Sequence, residues 1–176
     1  SAERDAILNR FVREGLKSSG CVLASATTEP PQVLLKRFSG AGGGDCEEPN
    51  MVILDWYSYK DENISAIEDD GQVVKCNREL TNMGIALDKL VQRMGEGTVK
   101  RAVIDILSPA IVMFGLQRVY NFVQSVVANL KANEITAIFV LDNEMHATET
   151  VHLLHQAFDG VVDLRKEDGD GKERCE

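Results

Sequence analysis

The sequence predicts a three-layer α/β/α domain built on a mainly parallel central sheet, and three observations carry that prediction. Short apolar runs at 21–26, 51–54, 99–107 and 135–141 alternate with stretches whose apolar residues recur every three or four positions. The run at 135–141 is almost wholly apolar and β-branched or aromatic, as suits a strand covered on both faces. A length of 176 residues fits one domain, able to bury roughly 70% of the surface that the unfolded chain exposes.

Each element follows from local pattern. Residues 3–18 place Ile7, Leu8, Phe11, Val12, Gly15 and Leu16 on one helical face, and the short run at 21–26 that follows reads as a buried strand. Pro30 and Pro31 suit a first helical turn, where a missing N–H is harmless, and Val33, Leu34, Leu35 and Phe38 continue that helix. Residues 39–50, SGAGGGDCEEPN, read as a flexible loop. Their glycines follow a helix and lead towards a strand, the reverse of a phosphate-binding order, and no G-K-[ST] ending is present. The strand at 51–54 ends at Asp55 and the aromatic cluster Trp56, Tyr57 and Tyr59. Residues 60–77 read as an acidic, irregular excursion, with a turn at 68–71 and a short edge strand at Val73 and Val74.

A helix over 79–94 is closed by Gly95 and Gly97, and 99–107 forms the central strand. One long helix is expected over 110–132, a strand at 135–141, a helix over 146–158 and a last strand at 160–164. The domain closes near 166, and 167–176 reads as a charged, disordered tail.

Composition excludes several classes. The formal charge of −9, from 28 acids against 19 bases, disfavours nucleic acid, whose nonspecific binding depends on counterions released by Lys and Arg. Cys21, Cys46, Cys76 and Cys175 stand singly, with no C-x-x-C pair and no zinc-finger histidine, so a reducing, cytoplasmic setting is expected. No apolar run approaches the roughly 20 residues that cross a bilayer. The N-terminus carries Glu3 and Asp5 where a signal peptide would be apolar, so no membrane partner is expected.

The segment RAVIDILSP at 101–109 sends three apolar residues into Asp105 and then meets a proline, the form of a Walker B strand. Together with EGLKSSGCVLASATTEPPQVLLKRF at 14–38, LDWYSY at 54–59, LTNMGIALDKL at 80–90, FVLDNEMH at 139–146 and FDGVVDLR at 158–165, it resembles the KaiC-like branch of the RecA superfamily, widespread in archaea. The resemblance covers nearly the whole chain and implies a RecA-like, P-loop NTPase-type fold. It also implies ATP and magnesium as ligands, and side-by-side association of domains.

The departures from that pattern matter as much. The family's phosphate loop ends Gly-Ser-Gly-Lys-Thr just before the first helix, where this chain has Ser1, Ala2, Glu3, Arg4 and Asp5. Arg4 would stand at the lysine position and Asp5 at the hydroxyl position, which makes them the candidate nucleotide-binding residues. Glu3 replaces a glycine whose missing side chain lets backbone N–H groups approach phosphate, and an acid there repels a triphosphate. The family's paired glutamates after the second strand are matched by Thr27 and Thr28, with Glu29 one position late as the one candidate catalytic base.

The expected function is therefore a non-catalytic pseudo-ATPase domain, a regulatory or protein-interaction module that binds itself or another protein and needs no cofactor. The alternative is an ATP-hydrolysing domain whose first strand and Walker A loop lie outside this stretch. Under that alternative Asp105 is the candidate magnesium contact; otherwise it is a structural carboxylate that caps the following helix or holds a loop, and Pro109 near the helix start supports capping by Ser108. Glu144 falls at a sensor-type position by the same resemblance. Glu144, His146, His152 and His155 do not have the spacing of a known zinc motif, and surface histidines are the plainer account. Trp56, Tyr57 and Tyr59 are candidates for a subunit interface or for core and rim packing.

Overall fold

The computed structural model describes residues 2–17, 19–43, 48–60, 66–96 and 98–164, with the backbone alone at 59 and 60. The strands are β1 (Cys21–Ala26), β2 (Met51–Asp55), β3 (Ile67–Asp69), β4 (Val73–Cys76), β5 (Lys100–Ile104) and β6 (Thr136–Phe139). They form one sheet in the order β3-β4-β2-β1-β5-β6, parallel throughout except where β3 turns back on β4. The helices are α1 (Ala2–Lys17), α2 (Pro31–Phe38), α3 (Leu80–Arg93), α4 (Leu107–Phe114), α5 (Leu116–Ala132) and α6 (Thr148–His155).

Alternation along the strands builds two cores. Cys21 and Leu23 of β1, Val52 and Leu54 of β2, and Ala102 and Ile104 of β5 face α3, α4 and α5. Val22, Ala24, Met51 and Val103 turn the other way, onto Val12 and Leu16 of α1 and Phe38 of α2. With β1 and β2 buried on both faces, each fully covered Leu or Ile contributes about 1.5–3 kcal/mol. The three-layer α/β/α arrangement follows. Gly20 sits where α1 hands over to β1, and a Cβ there would lie 2.5 Å from the carbonyl oxygens of both Gly15 and Val99. Only glycine admits that approach of three backbone segments.

Four expectations are corrected. The helix expected over 110–132 is two: Gly115, at φ +82°, breaks it, and the first piece starts at Leu107, so Ile106 and Leu107 leave the expected strand. Residues 160–164 form no strand; Val161, Val162 and Leu164 are exposed in irregular chain that does not pair with β6, the last strand of the sheet among the described residues. Val73 and Val74 belong to an interior strand, while Glu68 and Asp69, expected in a turn, form the edge β3. The turn itself is tighter, with Gly71 at φ +80° and Asp70 N–H donating to the Val73 carbonyl at 2.9 Å. Of the glycine-rich stretch at 39–50, residues 44–47 lie outside the described residues, as do Gly97 and the tail from 165.

Candidate functional site

Strand order fixes where a ligand site would form. The chain moves from β1 outward to β2 and β4, then crosses to β5 and β6 on the other side, so the order reverses between β1 and β5. In open α/β sheets, ligands collect beyond the carboxyl ends of strands at such a reversal. Here that position is bounded by Ser25 and Thr27 of the β1 end and Asp105 of the β5 end.

The two strand ends are tied together through the backbone of Asp105. Its N–H donates to Ser25 Oγ at 2.8 Å, and its carbonyl accepts from Thr27 Oγ1 at 2.7 Å. Both hydroxyls are thereby engaged in closing the top of the parallel pair. Thr27 thus stands where the resemblance sets a general base, but its proton is already given to a carbonyl.

The Asp105 side chain is half-buried, and its carboxyl is pushed above the usual carboxylate range. Burial is the main cause; the Arg4 guanidinium works against it, while Asp5 and Asp142 add repulsion. The fold thus brings the predicted residues Arg4, Asp5 and Asp105 into one electrostatic neighbourhood and adds Asp142. Arg4 Nε also pairs with Asp5 Oδ1 at 3.2 Å on the first turn of α1. The expected capping role of Asp105 is not found: α4 begins after Ile106 without a side-chain cap. Ser108 does not cap either. It lies buried inside α4, where its Oγ accepts the N–H of Asp142 at 2.9 Å and fastens α4 to the loop after β6.

Glu29 stands apart from this group in function. Its carboxylate is held by the Arg37 guanidinium at 2.6 Å, which joins the loop after β1 to the last turn of α2. Glu144 is exposed in a 3-10 turn, Asn143–Met145, whose first N–H groups are organised by Asp142, the Asp142 carboxylate accepting from Glu144 N–H at 3.1 Å. His152 and His155 lie side by side on α6 with ring centroids 6.1 Å apart and the rings tilted by 48°. Among the described residues no group of three or more His, Cys, Asp or Glu side chains is placed to hold a metal ion.

Trp56 is corrected as an interface candidate: it is fully buried and belongs to the larger core. Tyr57 keeps 39% of its surface exposed, and the Tyr59 side chain lies outside the described set. No described helix is long and apolar enough to cross a membrane.

Sequence reasoning missed Ser25, Asp55 and Asp142, although a signal for them existed. Three strands end on two apolar residues and an aspartate: Ile53-Leu54-Asp55, Val103-Ile104-Asp105 and, just after β6, Val140-Leu141-Asp142. Asp55 is the buried member, accepting from Ser58 N–H at 3.0 Å and Ser58 Oγ at 2.7 Å to start the 3-10 turn Tyr57–Lys60. Ser25 was legible as the one polar residue in an otherwise apolar strand.

No curated protein and no solved structure matches the chain. Residues 2–164 match the family described as "Family of unknown function (DUF7504)", and because that match spans nearly all of the sequence, the chain belongs to the DUF7504 family.

Proposed function

We propose that this domain is a non-catalytic, KaiC/RecA-like pseudo-ATPase that serves as a regulatory or protein-interaction module. One observation carries the reading. At the carboxyl ends of β1 and β5, the polar groups at and beside the positions of the family's paired glutamates are committed to structural bonds: Thr27 and Ser25 to the Asp105 backbone, and Glu29 to Arg37. Around them the charge is unfavourable for a triphosphate, since the Asp105 carboxyl feels Asp5 and Asp142 as well as the single cation Arg4. An anion entering there meets more repulsion than attraction.

Titration calorimetry with magnesium-ATP tests this directly. No saturable heat is expected, and light scattering should give the same particle mass with and without the nucleotide. A clear isotherm abolished by Arg4→Ala or Asp105→Ala would overturn the proposal.

The position of α1 favours one alternative, an ATP-hydrolysing domain whose first strand and phosphate loop precede Ala2. Its first turn opens at the ligand end of the sheet, beside Asp105, where a phosphate loop would sit. A helix N-terminus suits phosphate when glycines bring N–H groups close. That alternative requires a glycine-rich G-K-[ST] segment immediately upstream, and its absence from the encoded protein would eliminate it.

A further inference from the structure

Helix α4 is apolar on every side, and only part of it is covered. The twelve residues from Ile106 to Gln117 contain no charged side chain, in a chain of which 27% is charged and where that share predicts about three. A helix without a polar face normally lies inside a fold. Here Leu107 and Ala110 do face the core, but Val112 is 69% exposed and Ile111, Met113 and Phe114 are only half-buried.

The open part begins where the loop after β6 stops. Ser108 and Val112 lie one turn apart on the same side of α4, and Asp142 closes over the first of them, its N–H donating to Ser108 Oγ at 2.9 Å. Val112 is left beyond that loop. Met145, on the turn that Asp142 organises, is 56% exposed and sets a flexible thioether beside the same helix.

The patch carries opposite charges at its two ends. Asp142 and Glu144, both exposed, stand by the first turn of α4. Arg118 lies at the other end, its guanidinium 5.7 Å from the centre of the Phe114 ring. About 12 Å of uncharged helix separates them.

We infer that α4 is a self-association surface, on which two copies of this domain pair about a two-fold axis with their α4 helices antiparallel. The two charged ends select a second copy as the occupant. In a two-fold pair the same patch faces itself, so antiparallel helices bring the cationic end of one protomer to the acidic end of its partner, twice over, with Val112 at the centre. A patch shaped for an acidic or a basic partner would carry one sign only. Apolar, Met and aromatic side chains at the centre with Arg at the rim match the composition of protein interfaces. Such a pair closes at two copies, whereas contacts between unlike faces continue into rings or filaments. The inference rests on the reading of the domain as an interaction module, and it names the partner and the surface.

Sedimentation equilibrium across a micromolar concentration series is the test, since a patch this small gives a weak pair. The mass should rise from one chain to two and go no further. Val112→Glu should weaken pairing about tenfold or more while the urea midpoint stays, because Val112 is exposed. Arg118→Glu and Glu144→Arg should each weaken it about tenfold, and the variant carrying both should recover most of that loss. A chain that stays monomeric throughout would overturn the inference, as would a pair indifferent to Val112→Glu, assemblies larger than two, or a double variant no better than the single ones. Magnesium-ATP binding would overturn the pseudo-ATPase reading without changing these masses, and a monomer that binds no nucleotide would overturn the pairing alone.

Discussion

Substituting Thr27 by valine and Ser25 by alanine separates a structural strand clamp from a catalytic site. The Thr27 hydroxyl gives the Asp105 carbonyl its hydrogen bond at 2.7 Å, and the Ser25 hydroxyl receives the Asp105 N–H at 2.8 Å. Each bond is worth about 1 kcal/mol net, and a buried N–H left without an acceptor costs roughly 1–3 kcal/mol. Thr27→Val should therefore lower stability by about 1 kcal/mol and Ser25→Ala by about 2 kcal/mol. In a domain of this size each kcal/mol moves the thermal midpoint by about 2–4 °C. Because both bonds end on the backbone of one residue, Asp105, the double variant should cost less than the sum of the two. Urea unfolding can be followed through Trp56, the one tryptophan of the chain, which is fully buried. Unchanged midpoints in both variants would refute the clamp, most sharply if a magnesium-ATP signal vanished at the same time.

Three further outcomes follow from the same structure. The Asp105 carboxyl titrates above its unfolded value, so its favourable contribution is complete below that value, about 3.9, and is lost as pH rises through the folded one. Asp105→Asn should accordingly raise the urea midpoint at neutral pH and leave it unchanged near about pH 3.5; a loss of stability at neutral pH would show that the carboxylate has a partner there. Cys76 is pushed up to about 12 by burial and then by Asp55, and burial raises Cys21 too, so thiol-labelling followed by peptide mapping should find both unmodified until the chain is denatured. Trp56→Ala should cost about 3–5 kcal/mol, whereas Tyr57→Ala should stay within about 0.5 kcal/mol; light scattering of Tyr57→Ala reports whether that exposed ring contributes to association.

The layers of this fold were legible because they depend on periodicity, and periodicity survives in a single sequence. The continuous apolar run of β1 reveals burial on two faces without any knowledge of neighbours, whereas the run at 135–141, expected to be covered likewise, forms the edge strand β6, exposed at Thr136 and only half-buried from Ala137 to Phe139. What failed was decided elsewhere. The GVVDL segment has the local preference of a strand, but preference becomes a strand only where the backbone pairs with a neighbour, and this segment joins no ladder. Val73 and Val74 looked like an edge because they are few; they lie inside because the acidic segment before them folds back as β3, which Asp69 ties to Arg93 at the end of α3. Gly115 hid inside a pattern that continues through it, since the apolar spacing of α4 and α5 does not record a reversed φ.

The candidate site divides along the same line. Arg4, Asp5 and Asp105 were named from motif positions 100 residues apart, and the fold does bring them within electrostatic reach of one another. Their roles could not be read from those positions, because a role depends on what each group has already bonded to. Three aspartates close three strand ends after the same pair of apolar residues, yet Asp55 holds Ser58, Asp142 organises the turn at Glu144, and Asp105 is fixed through its backbone while its carboxyl stays half-buried. Burial pushes the Asp105 carboxyl upward, and its backbone clamp engages the hydroxyls of Ser25 and Thr27 at the end of β1. A strand end that evolved to hold magnesium would gain from a charged, outward carboxylate; one that serves to lock β1 against β5 gains nothing from the charge. The increase in stability expected for Asp105→Asn at neutral pH follows from burial of the carboxyl alone; magnesium-ATP binding that the same substitution abolished would show instead that the charge is kept for an ion.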